Sequence, residues 1–285
     1  MISAIEHPAV TEPAKHLETQ GWALEVLPVD ATGKVAEGSA KQVVGPAAAI
    51  ISVMHANNEI GTVQPVSAIA AIARDEGVLV HTDASQSVGK IPVNVDELGV
   101  DLLTIAGHKL YAPKGVGALY VRRGTPITSI SFGATQERGL RPGTENVALA
   151  VGLGAAADLA RRTLEKIRET MQRRRDSLQQ QLAELVPGLR LNGHPTDRLP
   201  NTLNISFPRV DGARLLVACT EVAASTGSAC HSGSEEVSGV LAAMGIPYEH
   251  ARGAVRLSVG RSTTELEVER AAAALSRAWR TLASS

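Results

Sequence analysis

The strongest constraint on this chain is a series of short apolar runs, each closed by polar residues and followed by a helical pattern or a turn. Residues 47–53, 78–80, 102–105 and 117–121 are too short for buried helices and are rich in the Val, Ile and Leu of buried strands. Residues 2–5 and 23–27 read the same way, although a chain starting within a core strand, right after Met1, is expected to lack a lead-in. Between these runs, residues 13–20, 66–74 and 95–98 carry helical patterns, the second stopping near Gly77. Strands alternating with helices predict an α/β fold with a mainly parallel sheet covered on both faces.

The second half reads differently. Over residues 147–185, Leu164, Ile167, Met171, Leu178, Leu182 and Leu185 keep a three-four spacing, interrupted at Arg174. Arg161, Arg162 and Arg173, Arg174 and Arg175 read as the solvated face of that long helix. A break at Pro187-Gly188 leads into a smaller unit. There Leu203, Ile205 and Phe207 alternate with Asn204 and Ser206, as in a half-buried strand, and Val255, Leu257 and Val259 form a second. Helices are expected from Gly212, around 237–244 and over 264–282. The division predicted is a large domain over 1–165, N-terminally incomplete, and a small C-terminal α+β domain over 166–285. An incomplete large domain is expected to expose sheet edge and apolar surface.

Composition narrows the function classes. A net charge of −1 asks for neither nucleic acid nor an anionic membrane, and 2% aromatic residues argue against a base-stacking surface. No apolar run approaches the roughly 20 residues of a membrane span, and the N-terminus has no signal-peptide pattern. The two cysteines, Cys219 and Cys230, fit neither a disulfide framework nor a zinc pattern, so a reducing, cytoplasmic setting is expected. Cys219 lies in an apolar helical run and reads as a small buried hydrophobe. Cys230 lies in a Gly/Ser-rich loop.

In an open α/β sheet, ligands bind beyond the carboxyl ends of the strands. Here that rim would carry His7, Asn58, Asp83 and Lys109, with Gln86 and His108 beside them. An acid at one strand end and a lysine at the next suit pyridoxal phosphate. Lys109 would attack the aldehyde carbon and Asp83 would pair with the protonated pyridine nitrogen. Gln86 would donate to the phenolic oxygen, His7 would lie against the ring, Asn58 would orient the same oxygen or a substrate carboxylate, and His108 would reach the phosphate. An Asp–Lys surface ion pair is the competing reading, and His7 and His108 taken singly also read as structural. Cys230, within Ser225-Thr226-Gly227-Ser228-Ala229-Cys230-His231, is a thiol on a small-residue loop suited to meeting a substrate, or an incidental cysteine. Arg256, polar between Val255 and Leu257, could clamp a substrate carboxylate or form a rim salt bridge.

Taken together, residues 6–7, 54–61 (MHANNEIG), 81–90 (HTDASQSVGK), 107–124, 137–146 (ERGLRPGTEN), 225–233 (STGSACHSG) and 255–265 resemble the cysteine desulfurases, in family order. These are class-V aminotransferase-type, fold type I pyridoxal phosphate enzymes. The Ser-Ala-Cys loop resembles the iron–sulfur-assembly branch. The resemblance implies conversion of L-cysteine to L-alanine, with a persulfide formed on Cys230 and passed to an acceptor or scaffold protein. It also implies a homodimer in which Thr144 reaches the partner subunit's cofactor phosphate. Lys109, Cys230 and His7 would be catalytic. Asp83, Gln86, Asn58, His108, Lys109 and Thr144 would hold the cofactor, and Arg256 and Asn58 the substrate. Two departures stand out. About the first hundred residues of the family pattern, including a Gly-rich phosphate-binding loop, have no counterpart here. Ala106 also replaces the serine before Gly-His-Lys, removing a charge-assisted hydrogen bond worth about 1.5–3 kcal/mol. A related lyase acting on selenocysteine or cysteine sulfinate, and a non-catalytic remnant acting by dimerisation or partner binding, are the alternatives.

Overall fold

The computed structural model describes residues 1–226 and 237–284. The strands of the first unit are β1 (Ile2–Ser3), β2 (Val26–Leu27), β3 (Ile50–Ser52), β4 (Leu79–Asp83), β5 (Leu102–Ala106) and β6 (Gly117–Val121). They form one sheet in the order β2-β1-β3-β4-β5-β6, parallel throughout except for the last pair. The carboxyl ends of β1, β3, β4 and β5 therefore lie side by side on one rim.

The connections are α1 (Pro8–Thr19), α2 (Glu37–Val43), α3 (Val66–Asp75) and α4 (Val95–Leu98). α3 buries Val66, Ile69, Ala70 and Ala73, the inward stripe its spacing encodes, against a core that includes Ile51, Val53, Val80 and Leu103. α4 is held to a single turn by its ends. The Asn94 side chain accepts from the Asp96 N–H, and Gly99 adopts a left-handed φ of 70° that stops the helix. At the far edge, residues 117–119 of β6 are exposed, together with Ile130 and Phe132 at 94% and 97%.

The second unit is an antiparallel sheet of β7 (Arg190–Asn192), β8 (Thr202–Ser206) and β9 (Ala254–Ser258), with β8 in the middle. It packs with α5 (Val147–Leu185), α6 (Gly212–Ala218) and α9 (Glu265–Ala283). Asn146 caps the start of α5, and a Thr264/Glu267 capping box starts α9. Leu178 and Leu182 of α5 enter the same core as Leu203, Ile205, Phe207, Val255 and Leu275. The division drawn at 165/166 falls inside α5, a helix of 39 residues. Gly253 has to be glycine: a Cβ there would sit 2.2 Å from the Phe207 carbonyl oxygen, where the strand lead-in crosses.

Two expectations are corrected. β8 is buried along its whole length, not on one face, because it is the central strand and its polar side chains are satisfied internally. Asn192 Nδ2 donates to Asn204 Oδ1 and Ser206 Oγ at 2.8 and 2.9 Å, and Asn204 Nδ2 donates to the Glu59 carbonyl. Arg175 is not on a solvated face. It is buried, with Nη1 donating to the Leu199 carbonyl at 2.6 Å and Nε to Asp176. Cys219 is a buried residue at the end of α6, as read.

Between the units lie α7 (Gly239–Ala243) and α8 (Tyr248–Ala251). Ile5, Met54 and Ile60 pack there against Val240, Leu241 and Met244. This third apolar cluster knits the small unit to the sheet immediately behind the rim.

Candidate functional site

The rim is built from the ends of four neighbouring parallel strands. β4 runs further than its apolar residues alone predict, because Thr82 and Asp83 continue the ladder opposite Leu103 and Thr104. Thr82 donates to the Val53 carbonyl at 2.7 Å, while His81 shares hydrogen bonds with Ser52 and Thr104 on the strands either side. The imidazole spends both ring nitrogens on this cross-strand link, and burial pushes its pKa down.

Asp83 closes β4. Its carboxylate is buried, accepts from the Ser85 N–H at 2.8 Å, and pairs with no cation among the described residues. A buried carboxylate without a counter-charge fits a ligand that brings one, such as a protonated ring nitrogen. Lys109 lies in the single 3₁₀ turn Gly107–Leu110 that follows β5. It is exposed, and its amine has no hydrogen-bond partner among the described residues, as an amine available to an aldehyde should be. These two features fit pyridoxal phosphate. His108 is exposed on the same turn, and Ala106, the last residue of β5, supplies no side-chain donor.

A residue to which sequence reasoning gave no role ties these parts together. Lys90 Nζ donates to the Gln86 carbonyl at 2.8 Å and to the Lys109 carbonyl at 3.3 Å, pinning the turn after β4 to the turn after β5. Burial, then the neighbouring Lys109, lowers its pKa from 10.5 to about 8. Gln86 and Lys109 thus approach each other through one ammonium. The turn after β5 is also fastened to the small unit. Arg261 stacks on the Tyr111 ring 4.2 Å from its centroid, and its backbone N–H donates to the Tyr111 hydroxyl.

His7, Asn58 and Arg256 form a second group around Glu59. His7 is exposed just before α1, where Nδ1 accepts from the Ala9 N–H at 3.1 Å and Nε2 has no hydrogen-bond partner among the described residues. Arg256 Nη1 donates to the Asn58 carbonyl at 3.2 Å. Glu59 lies within electrostatic reach of both Arg256 and His7 and accepts from Ser238 Oγ, yet burial dominates and raises its pKa. Of the residues read from the sequence, the main chains of Gln86 and Lys109 are joined through Lys90, Asn58 and Arg256 meet directly, and His7 and Arg256 lie within electrostatic reach of Glu59, while no contact among the described residues joins Asp83 to Lys109. Thr144 is exposed on the segment before α5 and makes no hydrogen bond to either group. Cys230 lies outside the described residues. The described flanks of its segment are both fixed at the site: Ser225 pairs with Arg256 as an isolated bridge, and Ser238 holds Glu59.

Glu6, next to His7 in the chain, lies within electrostatic reach of Asp83, and no role was read for it from sequence. Its Oε1 accepts from Ser3 Oγ and from the Met54 N–H, the latter at 2.7 Å, while Oε2 is buried without a partner among the described residues. Burial, reinforced by the nearby Asp83, raises its pKa from 4.5 to about 7. An acid buried by its place near β1 and β3, with a second carboxylate nearby, keeps its proton up to about pH 7. The only sequence signal for this was its place beside His7.

Comparison with known proteins shows the family. Residues 1–271 match the family model described as aminotransferase class-V. The chain is similar to a cysteine desulfurase of Gluconacetobacter diazotrophicus, 46% identical over 271 residues, which cover 94% of this chain and 68% of the relative. It is also similar to the cysteine desulfurase NifS of Azotobacter vinelandii, at 44% identity over 94% of this chain and 67% of the relative. Among solved structures, a NifS-like protein superposes with a TM-score of 0.89 at 36% identity, covering 97% of this chain and 73% of that one.

Proposed function

The chain belongs to the class-V aminotransferases and, among them, to the cysteine desulfurases, and from that premise we propose how its own residues carry out the conversion of L-cysteine to L-alanine with transfer of the sulfur. The observation that carries the assignment is the clamp of Lys90 on the Gln86 and Lys109 carbonyls, together with a buried Asp83 that pairs with no cation among the described residues. The clamp ties the main chain of the turn bearing Gln86 to that of the turn bearing Lys109, and an acid, an amide and an amine at neighbouring strand ends suit pyridoxal phosphate.

Pyridoxal phosphate, when bound, supplies an aldehyde carbon and an electron sink. Asp83 would hold its ring nitrogen in the protonated state, Gln86 and Asn58 its phenolic oxygen, and His108 its phosphate. Lys109 would bind the aldehyde carbon and afterwards move protons at the substrate carbon. His7, with Nδ1 engaged by the Ala9 N–H, offers Nε2 to the same space. Arg256 would take the substrate carboxylate, since its guanidinium keeps donors beyond the one used on Asn58. Ala106 adds nothing at the phosphate, so cofactor retention rests more heavily on the ring and amine contacts.

The Cys230 thiolate attacks the sulfur of the bound cysteine. A sulfur–sulfur bond forms, the carbon–sulfur bond breaks, and the electron pair left on carbon takes a proton to give L-alanine. The persulfide on Cys230 then passes to an acceptor or scaffold protein for iron–sulfur cluster or thio-cofactor assembly. We further propose a homodimer, with Thr144 directed to the partner's cofactor phosphate, and a cytoplasmic setting; no described helix is long and apolar enough to cross a membrane.

Alanine release from L-cysteine, measured with dithiothreitol present to discharge the persulfide, tests the assignment. Wild type should yield alanine and sulfide in equal amounts and Cys230→Ala neither. Sustained sulfide from Cys230→Ala would overturn Cys230 as nucleophile. Turnover of selenocysteine or cysteine sulfinate in the absence of cysteine turnover would move the substrate assignment.

A further inference from the structure

Away from the rim, a cleft of about 410 Å³ opens where α5 meets the loop between β7 and β8, lined among others by Lys34, Arg168, Gln172, Thr196 and Arg198. The loop is anchored to the first unit by backbone bonds. The Val63 N–H donates to the Asp197 carbonyl and the Leu199 N–H to the Gly61 carbonyl, at 2.9 and 2.8 Å. Arg198 is therefore fixed at the junction between the units, and its side chain is only 4% exposed. One amino group, Nη2, donates to Gln179 Oε1 and lies 3.6 Å from Asp176. Its Nε and Nη1 are buried with no partner among the described residues, and so is Nε of Arg168.

The charges around the cleft do not balance. Asp176 is already engaged by Arg175, at 2.7 Å, so two buried guanidinium groups share one half-exposed carboxylate. Lys34 pairs with Asp197 and Arg168 with Glu165, through carboxylates that are themselves 54% and 63% exposed. Burial, followed by repulsion from Arg175, brings the Arg198 pKa down to about 10, which still leaves it charged at neutral pH. A water molecule could accept one of the free N–H groups but would leave the buried charge uncompensated. An oxyanion answers both needs, and guanidinium is the side chain best suited to carboxylate and phosphate.

We propose that this cleft is a binding site for a small oxyanion, a phosphate or carboxylate group, held by Arg168 and Arg198 and bracing the junction between the two units. The free N–H groups of Arg168 and Arg198 are sealed from solvent, so the bound group is reached by a shift of both side chains into the cleft, where Asp197, held by Lys34, also lies.

The test is thermal unfolding of the protein saturated with pyridoxal phosphate, so that the cofactor's own phosphate site stays filled. It is titrated with inorganic phosphate and, separately, with acetate, each against chloride at matched ionic strength. At least one of the two should raise the unfolding temperature above the chloride control; phosphate alone identifies a phosphate group, acetate alone a carboxylate. Arg168→Gln and Arg198→Met should each weaken the apparent affinity about tenfold, the loss of one charge-assisted hydrogen bond. Arg168→Gln changes a residue on the helix surface, so the test survives if Arg198→Met does not fold. No rise with either anion, or equal rises in wild type and Arg168→Gln, would overturn the proposal. Both readouts are independent of turnover and stand whether or not Cys230 is the nucleophile.

Discussion

Replacing Glu6 with glutamine probes how the rim stores a proton. Glu6 is buried beside Asp83, and its pKa is raised from 4.5 to about 7, first by burial and then, in the same direction, by Asp83. Between those values the native state holds a proton that the unfolded chain releases. Stability from this group is therefore fully present below about pH 4.5 and is lost as pH rises through 7. The displacement corresponds to at most about 3 kcal/mol. Glutamine is permanently neutral and keeps an acceptor for Ser3 Oγ and the Met54 N–H, while its amide can donate where Oε2 is now unpartnered. Urea unfolding of cofactor-free protein at pH 5 and pH 8 measures the effect. Glu6→Gln should be near neutral at pH 5 and more stable than wild type at pH 8, by up to about 3 kcal/mol. Glu6→Ala should be destabilised at both, because both donors lose their acceptor. A stability difference between Glu6→Gln and wild type that is the same at both pH values would refute a protonated Glu6.

Lys90→Met should cost stability by removing the clamp on the Gln86 and Lys109 carbonyls. Because the Lys90 pKa is lowered to about 8, wild type should also gain on this variant as pH rises from 8 toward 10.5, where the unfolded chain still holds the proton; urea unfolding across that range checks the slope. Gly253→Ala should destabilise the small unit by about 1–3 kcal/mol, since its methyl would press on the Phe207 carbonyl, and calorimetry reads that loss directly.

Much of the scaffold was legible because its signals are local. The long spaced apolar series over 147–185 became α5 with those bounds, and residues 95–98 and 117–121 became α4 and β6. Elements without a pattern of their own were missed. β7 is three residues shaped by its pairing with β8, and α2 carries too few apolar residues to mark a face. The half-buried reading of β8 failed because alternation reports polarity, not exposure. Asn204 and Ser206 are buried but paired with Asn192, a partner that only the fold supplies. Arg175 was misread for the same reason, its partner being a backbone carbonyl 24 residues away. At the site, the apolar runs predicted strands that end at or just before Asp83 and Lys109, and both residues do lie there. Glu6, buried beside Asp83 and accepting from Ser3 and Met54, and Lys90, donating to the Gln86 and Lys109 carbonyls, depend on burial and on main-chain partners, neither of which has a signature in one dimension.

Lys109 is proposed to carry pyridoxal phosphate, with Asp83 paired to its ring nitrogen. The most direct measurement is the absorbance spectrum of purified protein after addition of the cofactor and removal of the excess. The account predicts a yellow protein whose Schiff-base band disappears in Lys109→Ala and weakens or shifts in Asp83→Ala. A colourless wild type that cannot be reconstituted, or a band that persists unchanged in Lys109→Ala, would contradict it.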